Sequence, residues 1–273
     1  MAEVRVATAV AGDRPSRSWL VTAGAAGFAA KGLLYVAVGA LATRAAFGVD
    51  SPEGTRGVTD RLRDHPIGFV LMAAIAIGLL GYAVWRIVRA AVNSENDSVW
   101  SRLNSLGTAV VHLFILAGVV EVLMGWQRSG PEDQATEHWT ARALAAPYGR
   151  WLVIGLGAAL VLRGLWQAYK AVINKLDDEL DFRSMEPAAR RVTPWIARFG
   201  MLARGVVFVV GGLSLASAGW QMDPGNADGV AGILRRIGDA PFGQLLLAVV
   251  AVGFVAYGIY QLVLARYRKI PTG

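Results

Sequence analysis

Six apolar stretches of about 20 residues or more divide this chain, at 20–43, 67–92, 105–126, 148–173, 195–219 and 242–266. A helix of that length crosses a hydrocarbon core of ~30 Å. Lipid offers no hydrogen-bond partner to an open strand edge, so the helix is the conformation to expect. Composition agrees: 55% of residues are hydrophobic and 17% charged, against about 25% charged in a typical soluble domain. Trp19, Trp100, Trp126, Trp151, Trp195, Trp220 and Tyr267 lie near the ends of these stretches, where interfacial aromatics belong. The expected fold class is an all-α integral membrane protein with six transmembrane helices.

The stretches come in pairs, and each pair repeats one pattern. Pro66-Ile67-Gly68, Pro147-Tyr148-Gly149 and Pro241-Phe242-Gly243 each open the second helix of a pair. Large aromatics follow at matching distances, Trp85, Trp166 and Tyr260, and each is followed by a polar residue, Arg86, Gln167 or Gln261. Arginines precede the prolines in register at Arg61, Arg142 and Arg236, and glycines open the first helices at Gly27, Gly107 and Gly200. Agreement over that many positions marks three tandem copies of one unit. The chain divides into an N-terminal tail 1–19, repeat one 20–93, a linker 94–103 and a divergent repeat two 104–175. An acidic linker 176–194, repeat three 195–268 and a C-terminal tail 269–273 complete it. Two spans per repeat leave all copies in one orientation, so the repeats are expected to be parallel.

Each proline suits a helix's first turn, where its missing N–H has no partner to lose, and the glycine after it allows a close backbone approach. Before the prolines, Val58 and Leu62, Trp139 and Ala143, and Ile233 and Ile237 recur at helical spacing. Short amphipathic helices are expected there, lying in the headgroup region of the outer loops or capping the helix pair.

The net charge of +7 has a topological explanation. Fifteen Lys and Arg fall in the tails and between repeats, against nine in the loops within repeats. The positive-inside rule places both termini in the cytoplasm of a plasma-membrane protein, and nucleic acid is not an expected partner. Arg5, Arg14 and Arg17 before an apolar run resemble a secretion signal. The run from Leu20 is longer than a signal's core and supplies the first helix, so it is expected to be retained. The absence of cysteine excludes disulfides, thiolate metal sites and cysteine nucleophiles.

The first helices carry a second signature, Gly27-x-x-x-Lys31-Gly32 in copy one and Gly200-x-x-x-Arg204-Gly205 in copy three. Copy two has Val111 and His112 at the matching steps. With Ala203-Arg204-Gly205-Val206-Val207-Phe208, Pro241-Phe242-Gly243 and Ala256-Tyr257-Gly258-Ile259-Tyr260, the chain resembles the bacterial membrane proteins of domain of unknown function 1206. Copy one carries the resemblance through Lys31-Gly32-Leu33-Leu34-Tyr35 and Gly81-Tyr82-Ala83-Val84-Trp85-Arg86. It covers residues 24 to 268 and is weakest in the middle copy. It implies tandem two-helix units in a membrane, and no activity.

Lys31, His112, Glu121, Arg163 and Arg204 are the ionisable residues inside the expected spans. A charge at mid-bilayer costs ~2.5–3.5 kcal/mol on insertion scales, so each needs a partner, a cavity or an escape route. Counted from the cytoplasmic ends at 1.5 Å per residue, Lys31, His112, Arg163 and Arg204 share a layer roughly 12–17 Å deep, with Glu121 deeper. One reading is a polar core, an anion site or proton path with Glu121 as counter-charge to Arg163 or Lys31. The other is that Lys31 and Arg204 snorkel to the headgroups, that Glu121 does so outward, and that His112 is a packing residue. Arg163 stands where the other copies have Tyr82 and Tyr257, so the divergence lies in the middle unit.

No catalytic or metal site stands out, and no cofactor is expected. Asp177, Asp178, Glu179 and Asp181 lack the spacing of a calcium loop. His65, His112 and His138 form no metal-binding pair, and phosphate-loop, dinucleotide and nucleophile-elbow fingerprints are absent. The one Gly-x-x-x-Gly step, Gly225 to Gly229, falls in a loop, so glycines in the spans are expected to serve close packing within the bundle. A non-catalytic membrane scaffold or accessory protein, with lipid or a membrane protein as partner, is the first expectation; the alternative is a transporter or channel with a polar core. Six spans match mitochondrial carriers in number, yet their Pro-x-acidic-x-x-basic signature is missing. Oligomeric state is not legible.

Overall fold

A computed structural model describes residues 18–49, 51–53, 66–91, 99–124, 132–173 and 180–268. Its long helices are α1 (Ser18–Ala46), α2 (Pro66–Ala91), α3 (Val99–Leu123), α5 (Gly149–Val172), α6 (Pro187–Gln221) and α8 (Gly243–Tyr267). Two shorter helices, α4 (Glu132–Ala145) and α7 (Val230–Gly238), lie inside the second and third repeats. Among the described residues there is no strand, only an isolated antiparallel bridge between Leu180 and Arg268. Among the described residues five helices are long and apolar enough to cross a membrane, within α1, α3, α5, α6 and α8. In α2 a shorter apolar stretch, Met72–Val88, falls below that length.

The helix starts differ between copies. Pro66 is the first residue of α2, but α5 and α8 begin at Gly149 and Gly243, leaving Pro147 and Pro241 outside the helix. The reason lies in the middle residue of each triplet. Tyr148 and Phe242 take left-handed backbone angles (φ 62° and 60°) and turn the chain before the helix can start. A Cβ on Gly149 would strike the Ala143 carbonyl, and one on Gly243 the Gly238 carbonyl. Glycine is therefore required there by contact. α6 also departs from the expected span, running from Pro187 and taking in part of the acidic linker with Pro194 inside it. Pro187 is pre-set for a first helical turn.

The long helices pack in the spatial order α3–α2–α1–α8–α6–α5. Each neighbour runs antiparallel to the last, as the contacts show. Gly27 meets Tyr82 while Gly24 meets Trp85, across α1 and α2. Gly32 meets Gly258 while Gly39 meets Ala251 and Val255, across α1 and α8. Gly164 meets Gly205 while Gly157 meets Gly212, across α5 and α6. Thus the first helix of each repeat packs on the second helix of another. Repeats one and three also pack internally, α1 on α2 and α6 on α8. Repeat two does not: among the described residues α3 and α5 share no packed interface. They are the two ends of the row.

The row is curled into an arc, because side chains from non-adjacent helices meet inside it. Ile115 of α3 packs against the cluster of Leu34, Val38, Val207, Leu247 and Phe254 from α1, α6 and α8. α7 closes one end of this cluster, with Ile233, Leu234 and Ile237 buried in it. Its apolar side is thus spent on the protein body, in the manner of a cap. In α4 Trp139 is exposed and Thr140 is buried. The short segment of copy one lies outside the described residues. At the other end Leu180 and Phe182 of the acidic linker dock beside Met201, Tyr257 and Tyr260, and Asp181 N–H donates to the Tyr267 carbonyl at 2.8 Å. Asp177, Asp178 and Glu179 lie outside the described residues.

Candidate functional site

The glycine that opens each first helix decides what can sit opposite it. In repeat one a Cβ on Gly27 would collide with Tyr82, and in repeat three a Cβ on Gly200 would collide with Tyr257. Each tyrosine is therefore seated in a notch on its partner helix, and both are buried. Two buried phenols inside a bundle need polar company, and the same register supplies it.

Arg204 of α6 is the hub. Its Nε donates to Tyr35 Oη of α1 at 2.7 Å, and its Nη1 donates to Gln167 Oε1 of α5 at 2.7 Å. The guanidinium lies 4.2 Å from the Phe208 ring centroid, 4.9 Å from Tyr257 and 5.5 Å from Tyr35. Such faces attract a cation through the ring quadrupole. The Arg204 head is thus held among helices rather than run out to the headgroups. Lys31 of α1 places its ammonium 5.9 Å from the Tyr82 centroid and 5.7 Å from Tyr257. Arg86 of α2 donates twice to Tyr82 Oη, at 3.0 and 2.8 Å. The His112 ring of α3 lies 4.6 Å from the Tyr82 ring, and its Nδ1 pairs with the Thr108 carbonyl at 2.6 Å. A carbonyl only accepts, so Nδ1 carries the proton and Nε2 is left as an acceptor in the neutral ring.

Arg163 of α5 is exposed by surface area, yet the groups acting on it most strongly include Arg204, Tyr257, Arg86 and Tyr82. Two of these belong to α2, which does not pack on α5. Its charge therefore lies within electrostatic range of α2 while its side chain remains accessible. Glu121 is half-buried on α3, about 13 Å along the helix from His112 at 1.5 Å per residue. It shares its stretch with Val119 and Val122, which pack against Met72 and Ile75. The structure therefore gathers Lys31, His112 and Arg204 around three tyrosines, leaves Arg163 exposed on α5 and sets Glu121 apart along the helix.

Two amides complete the layer. Gln167 is 5% exposed and Gln261 2%. Gln167 Nε2 and Gln261 Oε1 are buried without a hydrogen-bond partner among the described residues. Because Gln167 Oε1 is taken by Arg204, the free Nε2–H lies immediately beside that guanidinium. A donor and a cation side by side suit an oxyanion.

Sequence reasoning singled out the charges but not Tyr35, Arg86, Gln167 or Gln261 as parts of one site. The signal was present in the register: Arg86, Gln167 and Gln261 are equivalent positions, as are Tyr82, Arg163 and Tyr257. Among the described residues no cluster of His, Asp and Glu could hold a metal ion.

A family model described as Domain of Unknown Function (DUF1206) matches the chain three times, at 26–93, 104–174 and 199–268. The chain belongs to this family. A relative, "Uncharacterized protein YxxB" of Bacillus subtilis (strain 168), is 27% identical over 260 residues, 93% of this chain and 94% of that protein. No solved structure matches. The three DUF1206 segments take in the helix pairs α1/α2, α3/α5 and α6/α8. Membership of one unit does not guarantee contact, since α3 and α5 share a DUF1206 segment but no interface.

Proposed function

We propose that the chain is a six-span plasma-membrane protein of three parallel two-helix repeats, termini cytoplasmic, that binds an anionic group non-catalytically inside the arc. The observation that carries this reading is the partnerless Nε2 of Gln167 beside Arg204, which donates to Oε1 of the same amide. A buried donor left unpaired costs about 1–3 kcal/mol, which a ligand oxygen would recover. Lys31, Arg86 and Arg163 raise the positive potential of the same layer, and a low-dielectric wall strengthens it. The polar core then draws on all three repeats, with Lys31 and Arg86 from the first, Gln167 from the second and Arg204 from the third. Binding of this kind serves either an anion carrier or an accessory protein that holds its ligand in place.

The test is the thermal midpoint of the purified full chain in detergent, with inorganic phosphate added at constant ionic strength. The midpoint should rise with phosphate in the wild type and stay flat in Arg204→Gln. Equal responses in both would sink the anion site and leave the scaffold reading, in which the interior only holds helices together.

A further inference from the structure

The ends of the arc, α3 and α5, leave an opening that the repeat pattern does not call for. Gly107 is the register mate of Gly27 and Gly200, yet a Cβ on it would meet nothing within 4 Å. Its expected partner position holds Arg163, which is exposed where Tyr82 and Tyr257 are buried. Val111, the mate of the inward-facing Lys31 and Arg204, is 55% exposed. Trp166 is 51% exposed where its mate Tyr260 is 2%. Four equivalent positions that are buried or half-buried in the other copies are thus open in this one, and all four lie on α3 and α5. Both helices are apolar here: Val110 and Val111 of α3 and Leu162 and Trp166 of α5 are all exposed. Arg163 is exposed on α5, and Arg204 is held farther in by Gln167 of the same helix.

We infer that this seam admits an amphiphile sideways from the bilayer, its phosphate or carboxylate head reaching the cationic layer and its hydrocarbon tail lying between α3 and α5. The inference rests on the anion site proposed above and adds the class of ligand and its route. Charge complementarity selects the head. An opening lined by valine, leucine and tryptophan suits a chain that remains in hydrocarbon, because lipid-facing walls lose nothing by contact with a tail. The position of Arg163 at the mouth, charged and accessible, gives an incoming anionic head its first partner.

Native mass spectrometry of the full chain in detergent tests this, with added phosphatidic acid or phosphatidylcholine of matched chains. Phosphatidic acid should be retained at one per chain and at least fivefold over phosphatidylcholine. Val111→Trp, which fills the seam and alters no charge, should cut that retention at least fivefold while leaving the phosphate-induced rise in thermal midpoint intact. A photoreactive phosphatidic acid with a mid-chain diazirine gives a reading that needs no variant: adducts should concentrate at 106–113 and 162–166. Adducts spread evenly over all exposed apolar faces would overturn the inference. So would equal retention of the two lipids, or paired chains whose association Val111→Trp abolishes, which would make the seam a self-interface. A phosphate response without lipid retention defeats the route and spares the anion site, whereas loss of both defeats both.

Discussion

Repeats one and three are closed by the same device, and repeat two shows what happens without it. Where Gly27 faces Tyr82 and Gly200 faces Tyr257, the main chain and Cβ of a tyrosine lie against a glycine that has no room for a side chain. Where Gly107 should face an aromatic, position 163 holds an arginine, and the helices do not meet. The joints between repeats tell the same story. Gly32 against Gly258 and Gly205 against Gly164 bring backbones into contact in two of them. In the third the equivalent positions are His112 and Ala83, and the closest aromatic contact is His112 on Tyr82. Small residues let membrane helices approach closely, and dispersion over that length holds them. The middle copy has given up part of that attraction for polar side chains.

The largest expected difference is between two glycines at one register position. Gly200→Leu should prevent recovery of folded protein, because its side chain must displace the backbone of α8 at Tyr257. Gly107→Leu should fold normally, since nothing stands within 4 Å of the new carbon. Yield of monodisperse protein on size exclusion reads both; a collapse of Gly107→Leu would break the comparison. A smaller effect is expected from the arginines. Arg204→Leu strips the partner from buried Gln167 Oε1 and should lower stability by about 1–3 kcal/mol. Arg163→Leu, at an accessible position, should stay within ~0.5 kcal/mol. Chemical denaturation in detergent measures the pair, and equal losses would mean that Arg163 is held as firmly as Arg204. The smallest effect belongs to Arg236, whose Nη2 lies 2.6 Å from Asp228 Oδ2 with the arginine side chain 54% exposed. Arg236→Ala should cost at most ~1 kcal/mol, as exposed ion pairs do; a larger loss would give the segment between α6 and α8 a structural weight that the seam comparison does not assign it.

Much of this was legible in the residues. Apolar length disclosed the helices, and the triplets from Pro66, Pro147 and Pro241 disclosed the repeat, because both are local properties. The order of the helices was not legible. It depends on which glycine faces which, as at Gly32 and Gly258, and a stripe of small residues on one helix does not name its partner. The left-handed turns at Tyr148 and Phe242 were hidden as well, since those residue types rarely adopt such angles without outside restraint. For the site, the charges were visible as costly residues in apolar runs. Their common depth could be counted too, but their partners could not, because these follow from an arc that joins α1, α2, α5, α6 and α8 across large separations. The odd residue in a register, Arg163 among tyrosines, was the most useful clue, for it marks where the copies stop obeying one rule.

The close joint between α1 and α8 has a bearing on how the molecule is made. Gly32 and Gly258 are brought backbone to backbone from opposite ends of the fold. At ~5–20 residues per second, on the order of ten to forty-five seconds of synthesis separate the two surfaces. Throughout that interval the glycine face of α1 sits in the bilayer with its main partner still unmade. The nascent protein is therefore an open chain of helices until its final hairpin inserts, and a ribosome that stalls before α8 leaves a product that cannot shut.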